Sequence, residues 1–201
     1  MELRMQRKAL RNALIEKETI VEALGRTQAE LEIANRMLEE MATTDALTGL
    51  RNRRSFDERL VDEFESAKRW MRPLSIVMLD IDDFKKRNDH FGHAAGDTAL
   101  REVASLLRTA VRRSDMAVRF GGEEFAILMP GADVAQAAVL ALRLLSSVRT
   151  GRWEHGALTF SIGVASMNLE ADRSGLAMVV RADQALYDAK KQGKNQCCFS
   201  D

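Results

Sequence analysis

Two short acidic stretches hold the residues best suited to chemistry. Asp80-Ile81-Asp82-Asp83-Phe84-Lys85 follows directly on the apolar run Leu74-Ser75-Ile76-Val77-Met78-Leu79, and Glu123-Glu124 follows directly on Gly121-Gly122. Carboxylates at the end of an apolar strand are costly to bury unless something positive meets them. Gly121-Gly122 reads as a two-residue hairpin turn, a place where positive φ is needed and Gly supplies it freely. Glu123 and Glu124 are adjacent and so point to opposite faces of the strand leaving the turn. With that hairpin beside the strand that ends at Asp80, Asp80 and one glutamate can share a divalent cation. Magnesium suits such a site, because it takes few protein carboxylates and completes its octahedron with phosphate oxygens and water.

Neither stretch identifies a site alone, since acidic pairs at strand ends are commonly just solvated and Gly-Gly turns are commonly just turns. An EF-hand beginning at Asp80 fails, because Phe84, Lys85 and Phe91 stand where a ligand, the glycine and the glutamate are required. His90 and His93 have a spacing that binds zinc on a helix, yet the sequence offers no further ligand set. There is no G-x-x-x-x-G-K-S/T loop, which excludes nucleotide binding of the P-loop kind.

The elements that must position these groups can be read from hydrophobic periodicity. Arg53 to Trp70 and Ala95 to Val111 have helical spacing, and Leu74 to Leu79 is a near-continuous apolar run of the kind that forms a central strand. Met116 to Phe120 and Glu124 to Met129 flank the Gly-Gly turn as a hairpin. A helix from Asp133 to Val148, a strand from Leu158 to Ala165, a helix from Gly175 to Lys191 and a short strand near Gln196 follow. This order predicts an α/β domain over residues 43–201, with a mixed sheet flanked by helices. Residues 1–42 read differently. Leu3, Leu10, Leu24, Leu31 and Leu38 form a seven-residue repeat interrupted at Lys17, with Arg7, Leu14, Val21, Gln28, Asn35 and Ala42 at the alternate positions. Leu at one core position with an occasional Asn at the other predicts a parallel two-stranded coiled coil, hence a homodimer. A second seam through Ala13, Ile20, Thr27, Ala34 and Met41, with Ala9, Ala23 and Met37 between, either widens one stripe or permits a second register.

Composition bounds the partners. The 201 residues carry 30 Lys plus Arg against 30 Asp plus Glu, so no global field draws in nucleic acid or an anionic membrane. No apolar run reaches the length of a membrane span. Cys197 and Cys198 are adjacent, where a mutual disulfide would be strained, and read as free thiols in a reducing, cytoplasmic setting. A sensor domain, membrane-tethered or not, would precede this chain in a longer protein.

Arg119-Phe120-Gly121-Gly122-Glu123-Glu124-Phe125 resembles the signature of GGDEF-domain diguanylate cyclases, in its GGEEF variant. The resemblance extends over roughly residues 44–199. It includes the opening Asp45-Ala46-Leu47-Thr48-Gly49-Leu50-Arg51-Asn52-Arg53-Arg54, the block from Asp80 through Asn88-Asp89, Phe91-Gly92-His93 and Gly96-Asp97, then Thr159 to Ala165, and Arg181 to Tyr187 with Ala189-Lys190. Five collinear motifs make it specific. It implies a palm-like domain similar to adenylyl cyclases, with a central five-stranded sheet. By position it implies that Asp80, the Ile81 carbonyl and Glu123 bind Mg2+, with Mn2+ as an alternative ion. The turn Asp82, Asp83, Phe84 and Lys85 would present N–H groups to a triphosphate, as helix N-termini do. Lys190 and Lys194 would neutralise the terminal phosphates, Asn88 and Asp97 would read guanine, and His93 would support that loop. Glu124 is a candidate to deprotonate the 3′-hydroxyl. Arg87 departs from the family, which commonly has an apolar or aromatic residue before the Asn.

The implied reaction is the condensation of two GTP molecules into cyclic di-GMP with release of two pyrophosphates. Because one domain binds one GTP, two must face each other, which gives the predicted stalk its purpose. Arg112-Arg113-Ser114-Asp115 resembles the family's inhibitory product site, in which Arg can bond guanine O6 and N7 while Asp takes its N–H groups, with Arg143 as a secondary contact from a neighbouring domain. A helix-end ion pair is the competing reading of Arg112 and Asp115. The alternative function is a GGDEF receptor module that binds GTP or cyclic di-GMP without turnover; loss of the glycines or glutamates would mark it, and all are present.

Overall fold

The computed structural model describes Met1, Arg4, Met5, Lys17, Val21, residues 24–34, Met37, Glu39 and residues 42–200. The chain divides into two units, residues 1–42 and 43–201. In the first, residues 24–34 are helical, and Leu24 and Leu31 of the leucine repeat are 63% and 60% exposed. Leu3, Arg7, Leu10, Leu14, Asn35 and Leu38 of that repeat lie outside the described residues, as do Ala9, Ala13, Ile20, Ala23 and Met41 of the second seam.

The second unit runs β1 (Arg51–Asn52), α1 (Arg53–Trp70), β2 (Leu74–Ile81), α2 (Phe84–Phe91), α3 (His93–Ala110), β3 (Met116–Arg119), β4 (Glu124–Pro130), α4 (Val134–Thr150), β5 (Phe160–Ser166), α5 (Gly175–Lys191) and β6 (Cys197–Phe199). The apolar run becomes the central strand: β2 is buried along its whole length and pairs antiparallel with β4 on one side and β5 on the other. Strand order is β1-β3-β4-β2-β5-β6, with β1 parallel to β3 and β6 parallel to β5. Five strands match the expected set. The sixth, β1, is two residues long, too short for any period to appear in sequence. The structure also adds α2, which Gly92 (φ 84°) separates from α3.

Alternation along the strands sends apolar residues to two cores. Val77, Leu79, Ile81, Phe125 and Ile127 pack with Val103 and Leu107 of α3 and Leu140 and Leu144 of α4. Ile76, Met78, Ala126 and Leu128 pack with Phe56 and Phe64 of α1 and Met178 and Leu186 of α5. α5 packs tightly on the sheet at Gly163 of β5, where an added Cβ would lie 2.1 Å from the Ala182 carbonyl oxygen and 2.3 Å from the Leu186 nitrogen. Both neighbours are backbone, so neither can yield without moving α5. Gly163→Ala should therefore cost about 3 kcal/mol or more by overpacking, read as a lowered urea midpoint at unchanged slope. An unchanged midpoint would mean that α5 slides freely on the sheet.

Candidate active site

The register of the sheet sets the acidic groups beside one another. Asp80 is the cross-strand partner of Glu124 on β4 and of Ser161 on β5. One residue on, the Ile81 N–H donates to the Glu123 carbonyl oxygen at 3.3 Å, so both acidic stretches meet at the same end of the sheet. Gly121 and Gly122 are not in the left-handed region, contrary to the turn expected from sequence. A Cβ at Gly121 would lie 2.8 Å from Glu124 Oε2, the end of a flexible side chain that would have to turn aside. The turn is pinned from outside by Arg119, whose Nε and Nη2 donate to the Gly122 carbonyl oxygen at 3.1 and 2.8 Å. Arg119 Nη1 in turn donates to Asp45 at 3.2 Å. Burial pushes the Asp45 carboxyl up, but hydrogen bonds from Thr48 and Arg119 outweigh it and hold Asp45 below its ordinary value. Asp45 and Arg119 thus position the glutamates, a role that nothing local in the sequence assigns to them.

Asp80 is only 7% exposed. Its Oδ2 accepts from Lys190 Nζ, on α5, at 2.8 Å. Burial pushes the Asp80 carboxyl up to about 6; Lys190 opposes the shift, while the neighbouring Glu123 and Glu124 charges add to it. A raised carboxyl stabilises the fold below its unfolded value and loses that contribution as the pH climbs through the folded one. In protein stripped of metal by chelator, the stability difference between wild type and Asp80→Asn should shift toward the Asn variant between pH 3.8 and about 6, then stay flat. The total shift is up to about 3 kcal/mol, measured by urea unfolding across that range. A difference that ignores pH would remove the ionisation cost assigned to Asp80.

Beyond β2 the chain turns through Asp83, held at φ 54°, into α2, which has no side-chain cap at its N-terminus. Asp82 plays a different part from the one expected. Its N–H donates to the Thr159 carbonyl oxygen at 3.0 Å. Its carboxylate accepts from Thr159 Oγ1 at 2.7 Å, Ser161 Oγ at 2.6 Å and the Asn195 N–H at 3.0 Å. Asp82 is therefore tied into the fold, and the N–H groups that open α2 start after it. Phe84 is buried and offers only its backbone, whereas Lys85 is exposed. Asp83 Oδ1 accepts from Lys86 Nζ at 2.8 Å and Lys194 Nζ at 2.9 Å, and the Lys194 and Lys86 hydrogen bonds hold its carboxyl below the usual range. Lys190 and Lys194 thus both reach the corner formed by Asp80 and Asp83.

Asn88 and Asp97 stand across the α2–α3 junction. Gly96 makes the approach possible, since a Cβ there would fall 1.9 Å from Asn88 Oδ1. That Oδ1 is buried and has no hydrogen-bond partner among the described residues, which leaves it an open acceptor. His93 begins α3 and is exposed. Arg87 is buried; its Nη1 donates to the Gly156 carbonyl oxygen at 3.2 Å and its guanidinium lies 5.6 Å over the Phe91 ring.

Arg112, Asp115 and Arg143 meet elsewhere, in a cleft of about 120 Å³ that Gln136 and Leu140 also line. Asp115 Oδ2 accepts from the Arg112 N–H at 3.0 Å, and the Asp115 N–H donates to the Arg112 carbonyl oxygen at 3.1 Å. The pair closes a tight turn after α3, leaving the Arg112 guanidinium outside any side-chain ion pair among the described residues. Arg143, from α4 of the same chain, donates to the Ala110 carbonyl oxygen.

Comparisons with known proteins converge on one family. The family described as diguanylate cyclase, GGDEF domain, matches residues 42–196. Diguanylate cyclase A of Treponema denticola is 38% identical over 179 residues, which cover 86% of this chain and 48% of that protein. The chain spans about half, or less, of the length of the curated relatives it matches. Among solved structures, the coiled coil and GGDEF domain of DgcB from Caulobacter crescentus, in complex with cyclic di-GMP, superposes with a TM-score of 0.78 at 33% identity, covering 88% of this chain and 97% of that one. The active GGEEF domain of a Vibrio cholerae diguanylate cyclase gives 0.71 at 34% identity, over 75% of this chain and 97% of that one.

Proposed function

Since this chain belongs to the GGDEF family of diguanylate cyclase domains, we propose that it condenses two GTP molecules into cyclic di-GMP. The observation that carries the reading is the buried Asp80 carboxylate, paired with Lys190 and flanked by Glu123 and Glu124 at the end of the sheet from which α2 departs.

The donor set fits a hard divalent ion: Asp80, Glu123 and the Ile81 carbonyl offer only oxygen, and Asp80 is buried at a desolvation cost that a cation would relieve. When bound, Mg2+ or Mn2+ would neutralise phosphate charge as the α-phosphate is attacked. The protein residues bind and orient. The N–H groups opening α2 and the Lys190 and Lys194 ammonium groups hold the triphosphate, which matches the pull of an uncapped helix N-terminus on anions. Asn88 and Asp97 take the guanine edge, with His93 supporting the loop between their helices. Glu124 accepts the 3′-hydroxyl proton as that oxygen bonds to the α-phosphorus of the facing GTP. The bond from the α-phosphorus to the bridging oxygen breaks, pyrophosphate leaves, and the same step repeated in the opposite sense closes the ring.

The domain of residues 43–201 acts as one of a pair, joined by a parallel coiled coil over residues 1–42; DgcB, which superposes well, was solved with a coiled coil. The cleft at Arg112, Asp115 and Arg143 takes the product and restrains the reaction. The free thiols Cys197 and Cys198 accord with a cytoplasmic setting, and no helix among the described residues is long and apolar enough to cross a membrane.

Incubation with GTP and Mg2+ should yield a product with the mass of cyclic di-GMP and two pyrophosphates per product molecule. Tight GTP binding without product would instead identify a receptor module. A mixed product from equal GTP and ATP would overturn the guanine assignment of Asn88 and Asp97.

A further inference from the structure

The turn that carries Lys194 is built in an unusual backbone conformation. Gly193, Lys194 and Asn195 have φ of 116°, 64° and 49°, three left-handed residues in succession. Gly adopts that region freely, but Lys and Asn do so only when their surroundings hold them there. The Lys194 N–H donates to the Ala189 carbonyl oxygen at 3.0 Å, which closes the end of α5. Asn195 is then gripped from two sides. Its N–H donates to Asp82 Oδ2 at 3.0 Å. Its side-chain Oδ1 accepts from Arg149 Nε at 2.8 Å, and its carbonyl oxygen accepts from Arg149 Nη2. Arg149 reaches across from the last turn of α4, 46 residues away in sequence, and its planar fork suits two acceptors at once. With Asn195 fixed, Lys194 Nζ reaches Asp83 at the N-terminus of α2.

We propose that Arg149 is a positioning residue for the triphosphate: by clamping Asn195 it holds Lys194 in the left-handed turn that aims its ammonium group at the phosphates. The inference rests on the phosphate role assigned to Lys194 above. Arg149 touches no substrate atom and acts through the turn. Without it, Asn195 keeps only its Asp82 contact, the turn can relax toward ordinary φ, and the Lys194 ammonium group no longer stays at the head of α2.

The experiment compares affinity for 3′-deoxy-GTP, which cannot cyclise, with affinity for GMP, which lacks the terminal phosphates, in the full chain with Mg2+. Arg149→Ala should weaken 3′-deoxy-GTP binding about five- to tenfold, the upper range of one ordinary net hydrogen bond because Arg149 acts only through the turn, and leave GMP affinity within about twofold. Arg149→Lys, which keeps the charge but not the fork, should fall between Ala and wild type. It also carries the comparison if the Ala variant does not fold. Arg149→Ala combined with Lys194→Ala should bind no more weakly than Lys194→Ala alone, because the two act as one unit. If Lys194→Ala leaves 3′-deoxy-GTP affinity intact, the phosphate role of Lys194 is wrong and the inference goes with it. If Lys194→Ala weakens binding but Arg149→Ala does not, or the two losses add, or GMP binding falls equally, Lys194 keeps its role and the clamp is overturned.

Discussion

Replacing Glu123 with Gln should lower turnover by about a hundredfold or more while leaving the fold intact. The backbone of Glu123 is fixed independently of its carboxylate, because its carbonyl oxygen accepts the Ile81 N–H and the turn before it is held by Arg119 on Gly122. Gln keeps the shape and removes one negative charge from a group that, on the proposed reading, shares a dication with Asp80. Loss of that charge also removes one of the influences that push the Asp80 carboxyl up, so metal-free protein should be at least as stable as wild type. The signature is therefore low activity in a protein whose melting temperature is unchanged or raised. The measurements are cyclic di-GMP formation under saturating GTP and Mg2+, and thermal unfolding in chelator. Near-normal synthesis by the variant would take Glu123 out of the metal site and leave Asp80 to be explained by Lys190 alone.

The sheet was legible where its residues advertise themselves locally. Leu74 to Leu79 announces a central strand because every side chain is apolar or small, and the structure buries all of β2. The hairpin at Gly121-Gly122 was also legible, but the reason for its glycines was not. Sequence offers φ as the default explanation, whereas neither glycine is left-handed and a side chain at Gly121 would crowd the Glu124 carboxylate. The two-residue β1 and the eight-residue α2 are too short for periodicity to report.

What sequence could not reveal lies in polar contacts between distant residues. Asp82 sits among the acidic residues and reads as one more phosphate-side group, yet its partners Thr159, Ser161 and Asn195 lie 77, 79 and 113 residues away. Arg119 and Asp45, separated by 74 residues, form the brace behind the glutamates in the same way. Such side chains look like solvated charges until the fold brings their partners to them. The Arg112–Asp115 turn shows the converse, since its spacing is local and visible, and only its convergence with Arg143 required the fold.

Deleting residues 1–41 should make specific activity depend steeply on enzyme concentration, whereas the full chain should keep a nearly constant value. Catalysis on the proposed scheme needs two GTP-loaded domains face to face, and each domain holds only one GTP. A two-stranded stalk keeps the domains at an effective concentration around the millimolar range, so separated domains at nanomolar concentration would lose most of their encounters. Leu24 and Leu31 stand exposed on the helical segment 24–34 at successive positions of the seven-residue repeat, the surface that a second copy would cover. Leu31→Lys with Leu38→Lys tests the same seam without shortening the chain, because lysines facing one another in the core of a coiled coil oppose pairing. Both variants should sediment as monomers, bind 3′-deoxy-GTP as tightly as wild type, and recover activity as protein concentration rises. A truncated protein that stayed monomeric yet kept full, concentration-independent activity would show that the domains pair without the stalk, and would end its role as the dimerising element.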